Sequence, residues 1–328
     1  MKMIVTGALG HIGSAFIRAL PPGRFEEIGI IDNLLTQRYP SLFDLPHGAG
    51  IRFYEEDIVE ADLDRHFLGA GVVVHLAAIT DAESSIERAE LVRRVNCLGT
   101  ERVVQACLRA GCRLLFTSTT SVYGSQRSVI DESCPESKLK PQSPYAETKL
   151  AAEQLIARAG QDHGLRHFTG RLGTIFGTSI GMRFHTAVNK FIWQACQGKP
   201  VTVWRTAMDQ CRPYLDLEDA VRAFRHIIDC DLFTGQTYNI VTANYTVNQI
   251  LEHIRREVPD LSVNYVDSRI MNQLSYTVTG QKFRDTGFVY QGDLARQVSN
   301  TVRLLKGIRR RDLQSLSIRS DHVHQEGV

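Results

Sequence analysis

A chain of 328 residues, 43% hydrophobic and 23% charged, has the makings of an ordinary globular protein, with room for a nucleotide-binding domain and a smaller appendage. A formal net charge of +2 without a long single-sign block gives no reason to expect nucleic acid or an anionic membrane as partner, and the short run Arg309-Arg310-Arg311 sits in a polar stretch without aromatic residues. No apolar run approaches the ~20 residues of a membrane helix, and residues 1–5 run straight into an expected strand without the layout of a signal peptide. The seven cysteines, at 97, 107, 112, 134, 196, 211 and 230, form no Cys-x-x-Cys pair. They read as free thiols of a reducing cytoplasm, with neither a metal site nor a disulfide framework.

Along the first half, short runs rich in Val, Ile and Leu at 3–6, 28–31, 51–54, 72–76 and 114–118 alternate with helical stretches. Their lack of polar alternation is that of strands covered on both faces. One helix is expected over about 12–20, stopped by Pro21-Pro22, and another over about 91–110, stopped by Gly111. This rhythm predicts an α/β fold, a Rossmann-type doubly wound parallel sheet. After about residue 176 the rhythm loosens, with strands expected at 201–204 and 238–241 and helices at 219–229 and 247–258. The expected organisation is a nucleotide-binding domain over 1–175, to which later segments can return, a smaller and partly interleaved substrate lobe over 176–307, and a polar tail over 308–328.

The strongest local signal is Gly7-Ala8-Leu9-Gly10-His11-Ile12-Gly13, between a strand and a helix. Gly7 permits a tight turn, Gly10 lets backbone approach a pyrophosphate, and Gly13 lets helix and strand pack closely; the helix start offers free amides to phosphate. Asp32 ends the second strand nineteen residues beyond Gly13, followed by Asn33. A carboxylate there accepts from ribose hydroxyls and repels a 2′-phosphate, so NAD is favoured over NADP. Asp57, with Ile58 after the third strand, is a candidate for the adenine. Leu76-Ala77-Ala78 supplies small side chains where a dinucleotide lies along backbone.

Tyr145 and Lys149 stand four apart at the start of an expected helix over 145–158, so both side chains share one face. A phenol with a reference pKa near 10 is a poor base at neutral pH. A neighbouring ammonium and a positive nicotinamide favour its phenolate, which suits the pair to general-base work on a hydroxyl. The hydroxyl-rich strand end Thr117-Ser118-Thr119-Thr120-Ser121 points into the same crevice.

The glycine triplet, Asp32-Asn33, His75-Leu76-Ala77-Ala78, Asn96, the Thr/Ser-rich strand ending in Val122-Tyr123-Gly124, and Ser143-Pro144-Tyr145-x-x-x-Lys149 together resemble the NAD-dependent epimerase/dehydratase family of extended short-chain dehydrogenases, in particular its UDP-galactose 4-epimerases. The resemblance runs over about 3–305. It implies that Thr119 is the catalytic hydroxyl beside Tyr145, and that Lys149 holds the nicotinamide ribose and lowers the tyrosine's pKa. It also implies that Asn96 and Thr117 position the cofactor, and that the chain dimerises through a four-helix bundle built from 91–109 and 145–158. On the substrate side it assigns Arg212 to the diphosphate, Arg269 to a second phosphate contact, Val188-Asn189-Lys190-Phe191-Ile192 to the base pocket, and Thr120 and Thr174 to the sugar.

Two departures bear on the substrate. Residues 204–210 stand where the family carries a glycine-rich turn, and Thr174 stands where galactose-type epimerases have Asn. After Thr119, the family's 4,6-dehydratases carry Asp-Glu, whereas this chain has Thr120-Ser121. The resemblance therefore implies a redox-neutral C4 epimerase of a nucleotide sugar, with a dehydratase or 4-keto reductase of the same family as the alternative. An NAD-sensing protein is disfavoured because the Thr119/Tyr145/Lys149 set is intact.

Overall fold

The computed structural model describes residues 1–48, 50–81, 85–124, 129–267, 275–305, 307 and 308. Arg269 and the expected tail beyond 308 lie outside them.

The apolar runs of the first half become parallel strands: β1 (Lys2–Thr6), β2 (Glu27–Asp32), β3 (Gly50–Glu55), β4 (Ala70–His75) and β5 (Arg113–Thr119), with α1 (His11–Arg18) following β1, α2 (Leu63–Phe67) preceding β4, and α3 (Ala89–Arg93) and α4 (Gly99–Ala110) leading into β5. Next come β6 (Val129–Ile130), α5 (Pro144–His163), β7 (His167–Leu172) and β8 (Thr174–Phe176). The remainder comprises α6 (Ala187–Cys196), β9 (Val201–Trp204), β10 (Cys211–Asp216), α7 (Leu217–Asp229), β11 (Thr237–Ile240), β12 (Ala243–Thr246), α8 (Val247–Glu257), β13 (Val263–Val266), β14 (Thr277–Val278), α9 (Gln281–Arg284) and α10 (Leu294–Leu305).

The large sheet has seven strands in the order β11-β7-β5-β4-β1-β2-β3, every pairing parallel. Strand order reverses between β1 and β4, which opens the crevice above their carboxyl ends where such sheets bind ligands. One face is closed by a core that includes Phe16 of α1 and Phe224 of α7, whose ring centroids lie 5.6 Å apart edge to face. The other face is closed by α4 and α5 through Val103, Val104, Ala152 and Ile156. Residues 217–240 thus return to the large sheet: α7 covers it and β11 extends it beside β7.

A separate core, around Phe176, Ile192, Tyr214, Ile250 and Val298, joins α6, α8 and α10 to a three-stranded sheet in the order β12-β10-β8. Tyr214 of β10 pairs with Thr174 of β8, so this sheet starts where the chain leaves β7.

The helix expected as one piece over 91–110 has an interruption. Between α3 and α4, residues Arg94–Leu98 make a wider π turn, and this extra residue in the register carries Asn96 into the interior. Gly111 ends α4 at φ +65°, the left-handed stop its position predicts. Ser143 caps α5, its hydroxyl accepting from the Ala146 amide at 3.2 Å, with Pro144 at the first helical position.

Candidate active site

The glycine turn is built by steric exclusion. Gly7 has φ +66°, and a Cβ there would lie 2.5 Å from the Ala77 amide nitrogen. A Cβ on Gly13 would lie 2.5 Å from the Ala8 carbonyl oxygen. Both sites admit only glycine without backbone movement. Gly10, extended, caps α1 with no side-chain hydrogen bond, and the first turn of α1 has no acidic residue. Its amides are therefore left for an anion.

Asp32 closes this turn. Its carboxylate accepts from the Leu9 amide at 3.1 Å and the Leu34 amide at 3.0 Å. Burial pushes its pKa up while these amides and Arg38 pull it down. Asn33 donates to Asp57 at 2.9 Å, and Asp57 also accepts from the Val59 amide at 2.9 Å, so these two candidates meet at adjacent strand ends. Ile58 turns inward: a Cβ on Gly99 would lie 2.5 Å from its Cδ1. The His11 ring faces the other lobe, with Nε2 at 3.1 Å from the Gly177 carbonyl oxygen, and burial drives its pKa down to about 4.

Across the switch point a directional chain of hydrogen bonds joins β1, β4 and the π turn. Thr100 spends its one hydroxyl proton on the Asn96 carbonyl at 2.6 Å. His75 Nε2, 3.0 Å from that hydroxyl, is therefore the donor, and its Nδ1 accepts from Thr6 at 2.7 Å. Burial holds His75 neutral, with a pKa pushed down to about 3. Asn96 in turn clamps the loop after Ala78: it accepts from the Ile79 amide at 2.9 Å and donates to the Ile79 carbonyl and to Thr148, both at 3.1 Å.

Thr119 ends β5, and its hydroxyl accepts from the Ser121 amide at 3.1 Å. It is also hydrogen-bonded to Tyr145, four residues before Lys149 on α5. Lys149 is buried; its ammonium donates to the Thr117 carbonyl at 2.8 Å and stands 4.8 Å over the Phe116 ring. Thr117 also donates to the His75 carbonyl at 3.2 Å, which ties β5 to β4 at this level. Burial raises Tyr145 to about 12, against the Thr119 bond that lowers it. Burial lowers Lys149 to about 8, against the charge of Glu153. The phenol is accordingly a proton donor until further positive charge reaches it.

Thr120 donates to the Leu172 carbonyl at 3.3 Å and lies 3.5 Å from the Tyr276 hydroxyl. Tyr276 is also hydrogen-bonded to Ser121 and feels the charge of Arg212. Thr120, Arg212 and Thr174 therefore gather at the seam between β5 and the smaller sheet, where Arg212 and Thr174 flank Tyr214. Asn189 is buried with its amide committed to Gly177, donating to its carbonyl at 3.1 Å and accepting from its nitrogen at 3.3 Å.

Sequence reasoning overlooked Tyr276, which reaches the site across 156 residues of chain from Thr120. It also overlooked the buried pair of Glu153 and Arg171 behind Lys149. The spacing of Lys149 and Glu153, one further helical turn on the same face, was an available signal for the latter.

The NAD dependent epimerase/dehydratase family model matches residues 3–241, and the chain belongs to that family. Its cofactor is NAD, and the glycine turn, the uncapped helix start and the Asp32 carboxylate suit a dinucleotide. A trifunctional UDP-glucose 4,6-dehydratase/3,5-epimerase/reductase of Arabidopsis thaliana is 28% identical over 303 residues, which are 88% of this chain and 44% of that protein, so the chain spans less than half of this relative. The dTDP-glucose 4,6-dehydratase of Streptomyces griseus is 29% identical over 311 residues, 92% of each chain. In fold, the chain matches the UDP-glucuronic acid 4-epimerase of Bacillus cereus, solved with UDP-glucuronic acid and NAD, at a TM-score of 0.85 and 23% identity over 93% of this chain and all of that one. No helix among the described residues is long and apolar enough to cross a membrane.

Proposed function

We propose that this chain is an NAD-dependent epimerase inverting C4 of a nucleotide-diphosphate sugar, a cytoplasmic homodimer paired through α4 and α5. The carrying observation is the chemistry around Tyr145. Its neighbours Thr119 and Tyr276 are hydroxyls, and Thr120 and Ser121 extend that set. Eliminating water from a 4-keto sugar needs an acid and a base at adjacent carbons; this cluster has hydroxyls at the positions where such carboxylates would stand.

In this reading bound NAD would supply the hydride acceptor and donor, and the pocket leaves the 4-keto sugar free to present its other face between the two transfers. Tyr145 takes the C4 hydroxyl proton and gives it back. Thr119 shares that proton through its hydrogen bond and orients the oxygen. Lys149, held by the Thr117 carbonyl, would supply, while protonated, the positive charge that favours the phenolate. Asn96, Asp32, Asn33 and Asp57 hold the cofactor loops. Arg212 takes the diphosphate by bidentate contacts, Thr174 and Thr120 the sugar, and the Asn189 stretch the base, with Arg269 as a further phosphate contact. The division of labour is a cofactor domain of 1–175 joined by 217–240, and a substrate lobe from the rest of 176–307.

A 4,6-dehydratase is the second reading, favoured by relatives of that name at 28–29% identity. Purified protein mixed with UDP-, GDP-, CDP- and dTDP-sugars without added cofactor, followed by NMR, separates the two. One C4 epimer without net NADH, abolished in Tyr145→Phe, supports the epimerase. A 4-keto-6-deoxy product, or conversion only on adding reduced cofactor, overturns it.

A further inference from the structure

The glycine turn is covered from two sides. On one side stands Arg38, six residues beyond Asp32, whose Nη1 lies 3.1 Å from the position of a Cβ on Gly10. On the other lies the segment that follows Gly177. Ser179 donates to the His11 carbonyl at 2.8 Å, and the Gly181 amide donates to the Ser14 hydroxyl at 3.1 Å. Gly181 is pressed so close that a Cβ would fall 2.2 Å from the Leu9 carbonyl oxygen and 2.6 Å from that of Gly10. This strap brings Arg183 within electrostatic range of Arg38.

The two guanidiniums share an unmet need. The Nε atoms of Arg38 and Arg183 are both buried without a hydrogen-bond partner, as is Nδ1 of His185 beside them. Asp32, the carboxylate whose charge acts on Arg38, is already engaged by two backbone amides. Burial, then the charge of Arg183, pull the Arg38 pKa down to about 10, with Asp32 opposing. Two like charges with buried donors are unfavourable alone, and a bridging anion reverses that balance.

We propose that Arg38 and Arg183 form a two-arginine clasp on the pyrophosphate of NAD, one arm from the loop after β2 and one from the strap between β8 and α6. The clasp rests on the NAD assignment and adds to it a reason for the cofactor to stay bound between turnovers. The anion is the pyrophosphate because Arg38 stands over Gly10, the point of backbone approach, and because the Asp32 carboxylate repels a 2′-phosphate.

The test is binding rather than turnover. Arg38→Ala and Arg183→Ala, checked for fold by circular dichroism, are stripped of cofactor and titrated with NAD, ADP-ribose, adenosine and NADP by calorimetry. Each variant is expected to weaken NAD and ADP-ribose by about 10- to 100-fold, the loss of a charged hydrogen bond, and to leave adenosine unchanged. Arg38→Lys and Arg183→Lys keep the charge without the fork and are expected to recover part of the loss. Unchanged affinity for NAD and ADP-ribose in both alanine variants overturns the clasp. So does wild-type protein that takes NADP as well as NAD and loses only NADP on Arg38→Ala, because the arginine then reads the 2′-phosphate. Wild-type protein that binds no NAD instead removes the cofactor assignment itself.

Discussion

Arg171 donates to Glu153 through both Nε and Nη2, at 3.0 and 2.6 Å, in a pair that is buried on both sides. Ser118 donates to the same carboxylate, and the guanidinium lies 4.8 Å over the Tyr123 ring. The pair links α5, β5 and β7 directly behind Lys149.

Removing one partner leaves the other charge buried and uncompensated, which costs about 3–5 kcal/mol. Glu153→Gln and Arg171→Met are each expected to lower unfolding stability by that order in urea titrations. The double substitution Glu153→Met with Arg171→Met is expected to recover most of it, because no lone charge remains. Singles that cost less than about 1 kcal/mol would show that water enters and that the pair is not sealed.

Lys149, in its proposed role, is expected to set a pH limit on catalysis. Its ammonium titrates near 8 in the folded chain against an ordinary 10.5, because burial disfavours the charge. The sign follows for both properties. The charge costs stability below about pH 8, and that cost fades as pH rises from about 8 toward 10.5. If Lys149 acts on Tyr145 as proposed, turnover is expected to fall as pH rises through about 8. Glu153→Gln removes the carboxylate that holds the ammonium charged, so its basic limb should move to lower pH. A limb that stays in place in this variant would separate Glu153 from the titration.

The elements that were legible in the sequence are those whose meaning is local. Gly7 needs a left-handed backbone and Gly13 a close approach to Ala8, Asp32 ends an apolar run, and Tyr145 and Lys149 share a helical face; each is written within a few consecutive residues. Asn96 was visible as a residue but not as a π turn, since one extra residue in a helical register leaves no mark in composition. Strand β11 was visible as a strand, yet its place beside β7 depends on a crossover through α7. The links from Thr120 to Tyr276 and from Arg38 to Arg183 join distant segments, and a single sequence carries no signal for such pairings.

Tyr145 and Thr119 share a hydrogen bond. Burial holds Tyr145 near 12, and the Thr119 hydrogen bond is the contact that works against it. Tyr145→Phe is expected to lower kcat by about 10²- to 10⁴-fold, the usual value of a general base, with little change in KM. Thr119→Val removes the hydroxyl and keeps the shape. It should lower kcat by a smaller factor and move the acidic limb of the rate to higher pH. Equal loss of kcat/KM through KM alone in Thr119→Val would make the threonine a binding residue.

Gly181 offers a test of the strap that leaves every charged group in place. A Cβ there meets two carbonyl oxygens of the glycine turn at 2.2 and 2.6 Å, so alanine has to lift the strap from Leu9 and Gly10. Gly164 is the control: it ends α5 at φ +72° with nothing within 4 Å of a Cβ. Gly164→Ala should cost about 1–2 kcal/mol of unfolding free energy from backbone strain and leave NAD affinity unchanged. Gly181→Ala should weaken NAD, read by cofactor retained through gel filtration, and should also lower stability. If both variants retain NAD equally, the strap adds nothing to cofactor binding, and its contacts with His11 and Ser14 serve only to join the two lobes.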